Sequence, residues 1–194
     1  MELYEDVPNQ RKPWTLQLQT QLEKLCEDKP QDSLVLATRN FFSNGIIAGD
    51  RRCESGQPGF NRDPETPQLN NRGDPYAFMK GDIIFFAANW RQVIPQARAI
   101  KHPKSDFFVK KRYRVQKNGD NGAKKLHARN RAHPHLCNVK HWLAIIDRFC
   151  RLVGKSVTNR PLAVYRDERT SKVLHICSND LLKTMQMVVK LEYV

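Results

Sequence analysis

The residues with the clearest chemical use are cations that alternate along one short stretch. Lys110, Arg112 and Arg114 are separated by single residues, and the apolar Val109 and Tyr113 occupy positions of the opposite parity. Alternate residues of a β-strand point to opposite faces, so this pattern predicts a strand with an apolar face and a cationic face. Ammonium and guanidinium groups hold phosphate oxygens. We therefore expect the cationic face to contact a sugar–phosphate chain.

The same stretch continues into a predicted hairpin. The turn KNGDNG contains Asn–Gly twice, and a return strand is predicted over residues 124–127. The hairpin adds Lys117, Lys124 and Lys125 to the expected nucleic-acid-binding residues. Charges that keep an edge strand from aggregating are the alternative explanation. That alternative accounts for two or three cations but not for the charge of the whole region.

Positive charge is concentrated in one quarter of the sequence. Residues 98–140 hold thirteen Lys and Arg against two acids, a net of +11, although the chain as a whole carries only +13. Residues 1–97 hold eleven bases and thirteen acids, and residues 141–194 hold nine and five. A chain whose other segments are close to charge balance, with one strongly basic hairpin, predicts a polyanionic partner. Double-stranded DNA is the favoured one. We expect no membrane partner and no small-molecule substrate.

Residue types suited to zinc also cluster, namely His127, His133, His135, Cys137 and His141. Their spacing lacks the paired ligands of structural zinc sites, so we predict neither a metal nor a cofactor. Trp142 is expected on the flank of its helix or packed in the core, and Tyr113 on the core face, rather than stacked on bases.

The bulk composition fits one globular domain. Hydrophobic residues make up 40% of the 194, and no apolar run approaches the roughly 18–20 residues of a membrane-spanning helix. The start MELYEDVPNQ is acidic and polar, unlike a secretory signal. Five widely spaced cysteines without a CxxC pair indicate reduced thiols. We expect an intracellular and specifically nuclear protein of unknown oligomeric state.

The predicted fold class is α+β, mainly helical with a small antiparallel sheet that includes the basic hairpin. Residues 1–13 are predicted to be disordered, 14–194 to form one domain, and 55–75 to form a long loop or insertion. Apolar spacing predicts helices over 14–25, from 32 or 33 to 44–49, over 136–153, and from 178 or 179 to 189. Strands are predicted over 83–86, 108–116, 124–127, 162–165 and 172–176.

This order of elements resembles the catalytic domain of tyrosine recombinases, the phage-type integrases, and especially their divergent versions in Crypton-like mobile elements. Three stretches carry the resemblance: GIIAGDRRCE (45–54), RYRVQKNGDNGAK (112–124) and residues 133–185. The first is similar to the family's box around its first catalytic arginine, and the second to the hairpin that presents its lysine. The resemblance covers roughly residues 32–190.

The resemblance implies a first catalytic arginine at Arg51, a supporting acid at Glu54 and a hairpin lysine at Lys117. In the family a tyrosine attacks a DNA phosphodiester, and arginines stabilise the charge of the transition state. The family's His-x-x-Arg box and nucleophilic tyrosine have no match, because His175 precedes Ile-Cys-Ser and Tyr193 comes too early. The resemblance therefore implies a partial and catalytically inactive domain. Without it, Arg51 would be a solvated surface residue and Lys117 a polar turn residue.

Three functions remain open at this point. The first, which we expect, is DNA binding by a recombinase-like or integrase-like protein, related to DNA recombination and integration but without catalysis. The second is an active strand-exchange enzyme represented by an incomplete chain. The third is an unrelated basic RNA-associated protein, although neither an RNP-type aromatic strand nor a GXXG loop occurs. A purely structural interaction protein would leave the charge unexplained.

Overall fold

The structure is a computed structural model that describes residues 15–48, 69, 75–114 and 122–192. Within these ranges the chain forms five α-helices and six β-strands, arranged as a four-stranded and a two-stranded antiparallel sheet. The α+β class with a small antiparallel sheet, as predicted from the sequence, is confirmed.

The helices are α1 (Leu16–Leu25), α2 (Leu34–Ala48), α3 (Gln96–Lys101), α4 (Asn138–Leu152) and α5 (Ser178–Glu192). The strands are β1 (Ile83–Phe86), β2 (Val93–Ile94), β3 (Phe108–Arg112), β4 (Lys124–Ala128), β5 (Val164–Arg166) and β6 (Val173–His175).

The larger sheet has the strand order β2-β1-β3-β4, so β4 lies at one edge. Phe86 pairs with both Val93 and Phe108, and Lys110 pairs with Leu126. Every pairing is antiparallel, so directly opposed residues point to the same face of the sheet. The register therefore determines which side chains of the basic hairpin lie together.

The main core lies between one face of this sheet and the helices α2 and α4. Val109 and Ile146 are fully buried in it. Trp142 is also fully buried, with its ring edge-on to Phe41 at 5.8 Å and to Phe78 at 5.2 Å between ring centroids. The prediction that Trp142 packs in the core is confirmed, as it is for Tyr113, which is also buried.

A smaller apolar cluster joins the two terminal helices. Leu18, Leu22 and Cys26 of the α1 region pack with Val188 of α5. Helix α1 begins after Thr15, whose hydroxyl accepts a hydrogen bond from the amide of Leu18 at 3.2 Å. Helices α1 and α5 thus pack together in a cluster separate from the main core.

Most predicted elements are confirmed, with shifted ends. Ser33 caps α2 by accepting from the amide of Leu36 at 3.3 Å, and Gly154, at φ +128°, ends α4. Gly45 does not end α2, which continues to Ala48. The six-residue helix α3 was not predicted. The proposed N-terminal disorder and all of the proposed 55–75 insertion except residues 69 and 75 lie outside the described residues.

Candidate nucleic-acid interface

The two faces of β3 differ as the alternating sequence predicts. Val109 is fully buried on the core face, whereas Lys110 and Arg112 are half-buried on the outer face. Lys124 of β4 pairs directly with Arg112 and is exposed on that same outer face. The hairpin register therefore brings three of the predicted binding residues together.

A buried carboxylate organises the two predicted arginines. Asp82, with its side chain fully buried, accepts from Arg112 Nη2 at 2.9 Å and from Arg114 Nε at 2.8 Å. It also accepts from the backbone amide of Met79 at 2.9 Å. The Arg112 and Arg114 side chains remain 43% and 30% exposed. Both arginines therefore have a structural role that the sequence did not reveal, and both keep surface for a ligand.

A cavity of about 160 Å³ opens beside this carboxylate. It is lined by Gly81, Asp82, Ile84, Lys110, Arg112 and Lys124. With Arg114 on the same carboxylate, four cations face one acid. The site therefore keeps a formal surplus of positive charge after its internal ion pairs are counted, as an anion-binding site requires.

Two lysines of the hairpin lie on the opposite face of the sheet. Lys111 is fully buried, with Nζ 5.8 Å from the ring centroid of Phe78 and 5.2 Å from that of Tyr113. Lys125 pairs with Lys111 in the register, and its Nζ lies 5.3 Å from the Tyr113 ring centroid. The structure thus does not bring Lys125, a predicted binding residue, to the cavity that holds Lys124.

A second basic cavity, of about 250 Å³, lies where β4 leads into α4. Its cationic lining consists of Lys104, Arg129, Arg131 and Lys140. The exposed Asp106 accepts from Arg131 at 2.9 and 2.5 Å. Arg129 donates to the carbonyl of Pro103. Sequence reasoning counted these cations in the basic segment but had no local signal that they converge.

Of the residues with zinc-compatible types, His141 has a structural role in the core. His141 is buried, donates from Nε2 to the carbonyl of His135 at 2.8 Å, and has Nδ1 3.2 Å from the side-chain amide of Asn40. Burial lowers the pKa of His141 to about 3, so its ring is neutral at physiological pH. In the part of the chain that the structure describes, no three His, Cys, Asp or Glu side chains gather as metal ligands.

The cysteines described by the structure are free thiols: Cys26, Cys137, Cys150 and Cys177. Burial raises the pKa of Cys26 to about 11, so its thiol stays protonated. Among the described helices, none has the length and apolar character needed to cross a bilayer.

The residues taken from the recombinase resemblance cannot be placed. Arg51, Glu54 and Lys117 all lie outside the described residues. Comparison of the chain with protein-family models, with curated proteins and with solved structures gives no match. The catalytic roles assigned by resemblance therefore stay predictions, while the cluster at 110, 112 and 124 is a feature of the fold itself.

Proposed function

We propose that this protein binds double-stranded DNA through the sugar–phosphate backbone, at the cationic cavity on the outer face of its sheet, and does not cleave the DNA. The observation that carries the proposal is the convergence of Lys110, Arg112 and Lys124 on one cavity. Among the described residues that line it, Asp82 is the only carboxylate, and two arginines already share it.

The register makes this cluster unfavourable without an anion. Arg112 and Lys124 are directly opposed on neighbouring strands, where like charges destabilise a sheet. Asp82 compensates Arg112, but Lys124 makes no ion pair with any residue that the structure describes. A phosphate group between the two side chains would turn the repulsion into two charge-assisted contacts.

The second basic cavity supplies further cations for phosphate contact. It lies near the opposite end of β4, where the chain leads into α4, and is a separate site from the cavity beside Asp82. Contact with phosphates alone predicts little sequence preference and an affinity of about micromolar or weaker at physiological salt.

The recombinase-like and non-catalytic parts of the proposal rest on the sequence. The order of hairpin, long helix, short hairpin and final helix is compatible with the resemblance. Within the 194 residues, the His-x-x-Arg box and the nucleophilic tyrosine of the resemblance have no match. A covalent protein–DNA adduct, trapped and resolved on a denaturing gel, would contradict the absence of cleavage.

The salt dependence of duplex binding tests the proposal. We expect log affinity to fall steeply with log salt for the wild type, because counterions are released from each neutralised phosphate. The double variant Lys110→Ala/Lys124→Ala should bind more weakly, and its slope should be shallower by about 1.8, since each phosphate contact contributes about 0.9. Fluorescence anisotropy with a labelled duplex gives both quantities.

A matched variant separates a site from general charge. Lys172→Ala/Lys183→Ala removes two exposed lysines outside the basic segment, and we expect its slope to equal that of the wild type. Equal slopes of log affinity against log salt for the two double variants would contradict the proposal, as would a flat salt dependence of the wild type. Both variants spare the Asp82 ion pairs, so neither disturbs the carboxylate that holds the hairpin.

A further inference from the structure

The outer face of the four-stranded sheet is ordered in rows across the strands. One row, set by direct pairing, consists of Val93, Phe86, Phe108 and Ala128. The next consists of Ile84, Lys110 and Leu126, and the last of Arg112 and Lys124. Successive rows are two residues apart, or about 7 Å. The face therefore changes from aromatic to cationic over about 14 Å.

Trp90 extends the aromatic end of this face. It lies in the turn between β1 and β2, its side chain is 61% exposed, and its ring centroid is 5.2 Å from that of Phe108 at an interplanar angle of 35°. Trp90 also has φ +62°, a strained backbone conformation for a bulky residue. The molecule thus holds an exposed tryptophan against an aromatic neighbour, at a cost in backbone energy.

A cation lies next to the aromatic row. Lys110 Nζ is 4.9 Å from the ring centroid of Phe86, and Lys110 also lines the cavity with Lys124. Ring faces and phosphate-binding groups are therefore adjacent on one surface. A nucleotide has a flat apolar base beside an anionic phosphate, which matches an aromatic row beside a cationic row. An apolar face that binds a second protein does not require cations next to its aromatic residues.

We infer that this face binds unpaired nucleotides of a single-stranded nucleic acid. The bases stack on Trp90 and on the row that contains Phe86 and Phe108. The phosphates bind at Lys110, Arg112 and Lys124. The inference rests on the proposed function and extends it from the phosphate chain to the bases. Bases inside a duplex are already stacked and cannot lie on these rings, so the site favours single-stranded stretches over paired ones.

The test compares a twelve-nucleotide oligo(dT), an oligo(U) of the same length and a twelve-base-pair duplex at one salt concentration. We expect the wild type to bind both single strands more tightly than the duplex. Trp90→Gly, which removes the ring and suits a positive φ, should weaken single-strand binding about fivefold to a hundredfold, the range for loss of one base–aromatic stack. Duplex binding should change less than twofold, and Trp90→Phe should restore part of the loss.

The controls separate the two proposals. Met187→Ala removes an exposed apolar side chain from α5 and should leave all three affinities unchanged. A wild type that binds duplex as well as single strands, with no effect of Trp90→Gly, overturns the inference and leaves the proposed function intact. Self-association of the wild type that Trp90→Gly abolishes also overturns it, because the face then binds a second copy. Failure to bind any of the three nucleic acids overturns both.

Discussion

Asp82 fixes the position of the arginines that were expected to hold phosphate. Its carboxylate is buried, and N–H groups of Met79, Arg112 and Arg114 donate to its oxygens. Arg112 and Arg114 point to the same side of the chain because they are two residues apart. They follow Asp82 in the sequence by 30 and 32 residues. Truncating the arginines would therefore test stability as well as binding, which is why the lysines are the cleaner probes of the interface.

Replacement of Asp82 by Asn should separate stability from binding. Asn keeps an oxygen for the Met79 amide but removes the charge that both arginines share, so we expect a loss of about 2 kcal/mol in the free energy of unfolding. The same change releases two guanidinium groups beside the cavity, so duplex affinity should rise. Urea unfolding and anisotropy measure the two effects.

Asp106→Asn is the comparison for that experiment. Asp106 and Arg131 form an exposed ion pair, which solvent screens, so this substitution should change the free energy of unfolding much less than Asp82→Asn does. An Asp82→Asn protein as stable as the wild type would contradict the buried ion pair. Weaker duplex binding by the folded variant would show that the arginines need their carboxylate in order to bind.

At the scale of elements, local patterns predicted the helices, the strands and the β3–β4 hairpin, but not the strand order or the register. The apolar stripe of α4 and the alternation of β3 are set by neighbouring residues, so both were predicted. Helix α3 has only six residues, too few to show a period. Strand order and register depend on contacts between distant residues, which no local pattern reveals. The sequence therefore did not predict that Lys124 lies beside Arg112, or that Lys125 lies on the opposite face of the sheet.

The candidate site was predicted by composition more than by geometry. The charge excess directed attention to β3 and β4, and three of the six expected binding residues line one cavity. Lys117 lies outside the described residues. Trp90 was missed because a single exposed aromatic residue in a turn has no periodic signal. Its importance comes from contact with Phe108, 18 residues away, which only the fold creates.

The packing of α1 against α5 gives a prediction for these elements. Leu22 is fully buried in the small terminal cluster, so we expect Leu22→Ala to lower the free energy of unfolding by about 2–4 kcal/mol through lost burial and a residual cavity. Leu16→Ala, at a position 63% exposed on the same helix, should cost less than about 0.5 kcal/mol. Chemical denaturation measures both, and equal losses would contradict the packing of α1.

For the whole molecule, a buried histidine makes stability depend on pH. His141 joins α4 to Asn40 of α2 and to the backbone at His135. Its pKa is about 3 in the folded chain, against an ordinary 6.5 when unfolded. Below pH 6.5 the unfolded chain takes up a proton that the folded chain does not, so the stability present above pH 6.5 falls as the pH is lowered toward 3.

We expect the wild type to lose about 2 kcal/mol of stability through His141 between pH 7 and pH 5. His141→Gln keeps a donor and an acceptor but cannot titrate, so its free energy of unfolding should change less over the same range. Urea titrations at the two pH values give the comparison. The same pH dependence in both proteins would mean that another group controls acid unfolding.

The folded sheet also changes how the run Lys110–Arg114 can be recognised. As a linear peptide, KKRYR presents four positive charges in five residues, the kind of short basic run that transport receptors read in extended chains. Here the second lysine is enclosed by aromatic rings, and both arginines are tied to Asp82. A receptor that binds the run as an extended linear signal would first have to break the hydrogen bonds that pair β3 with β1 and β4.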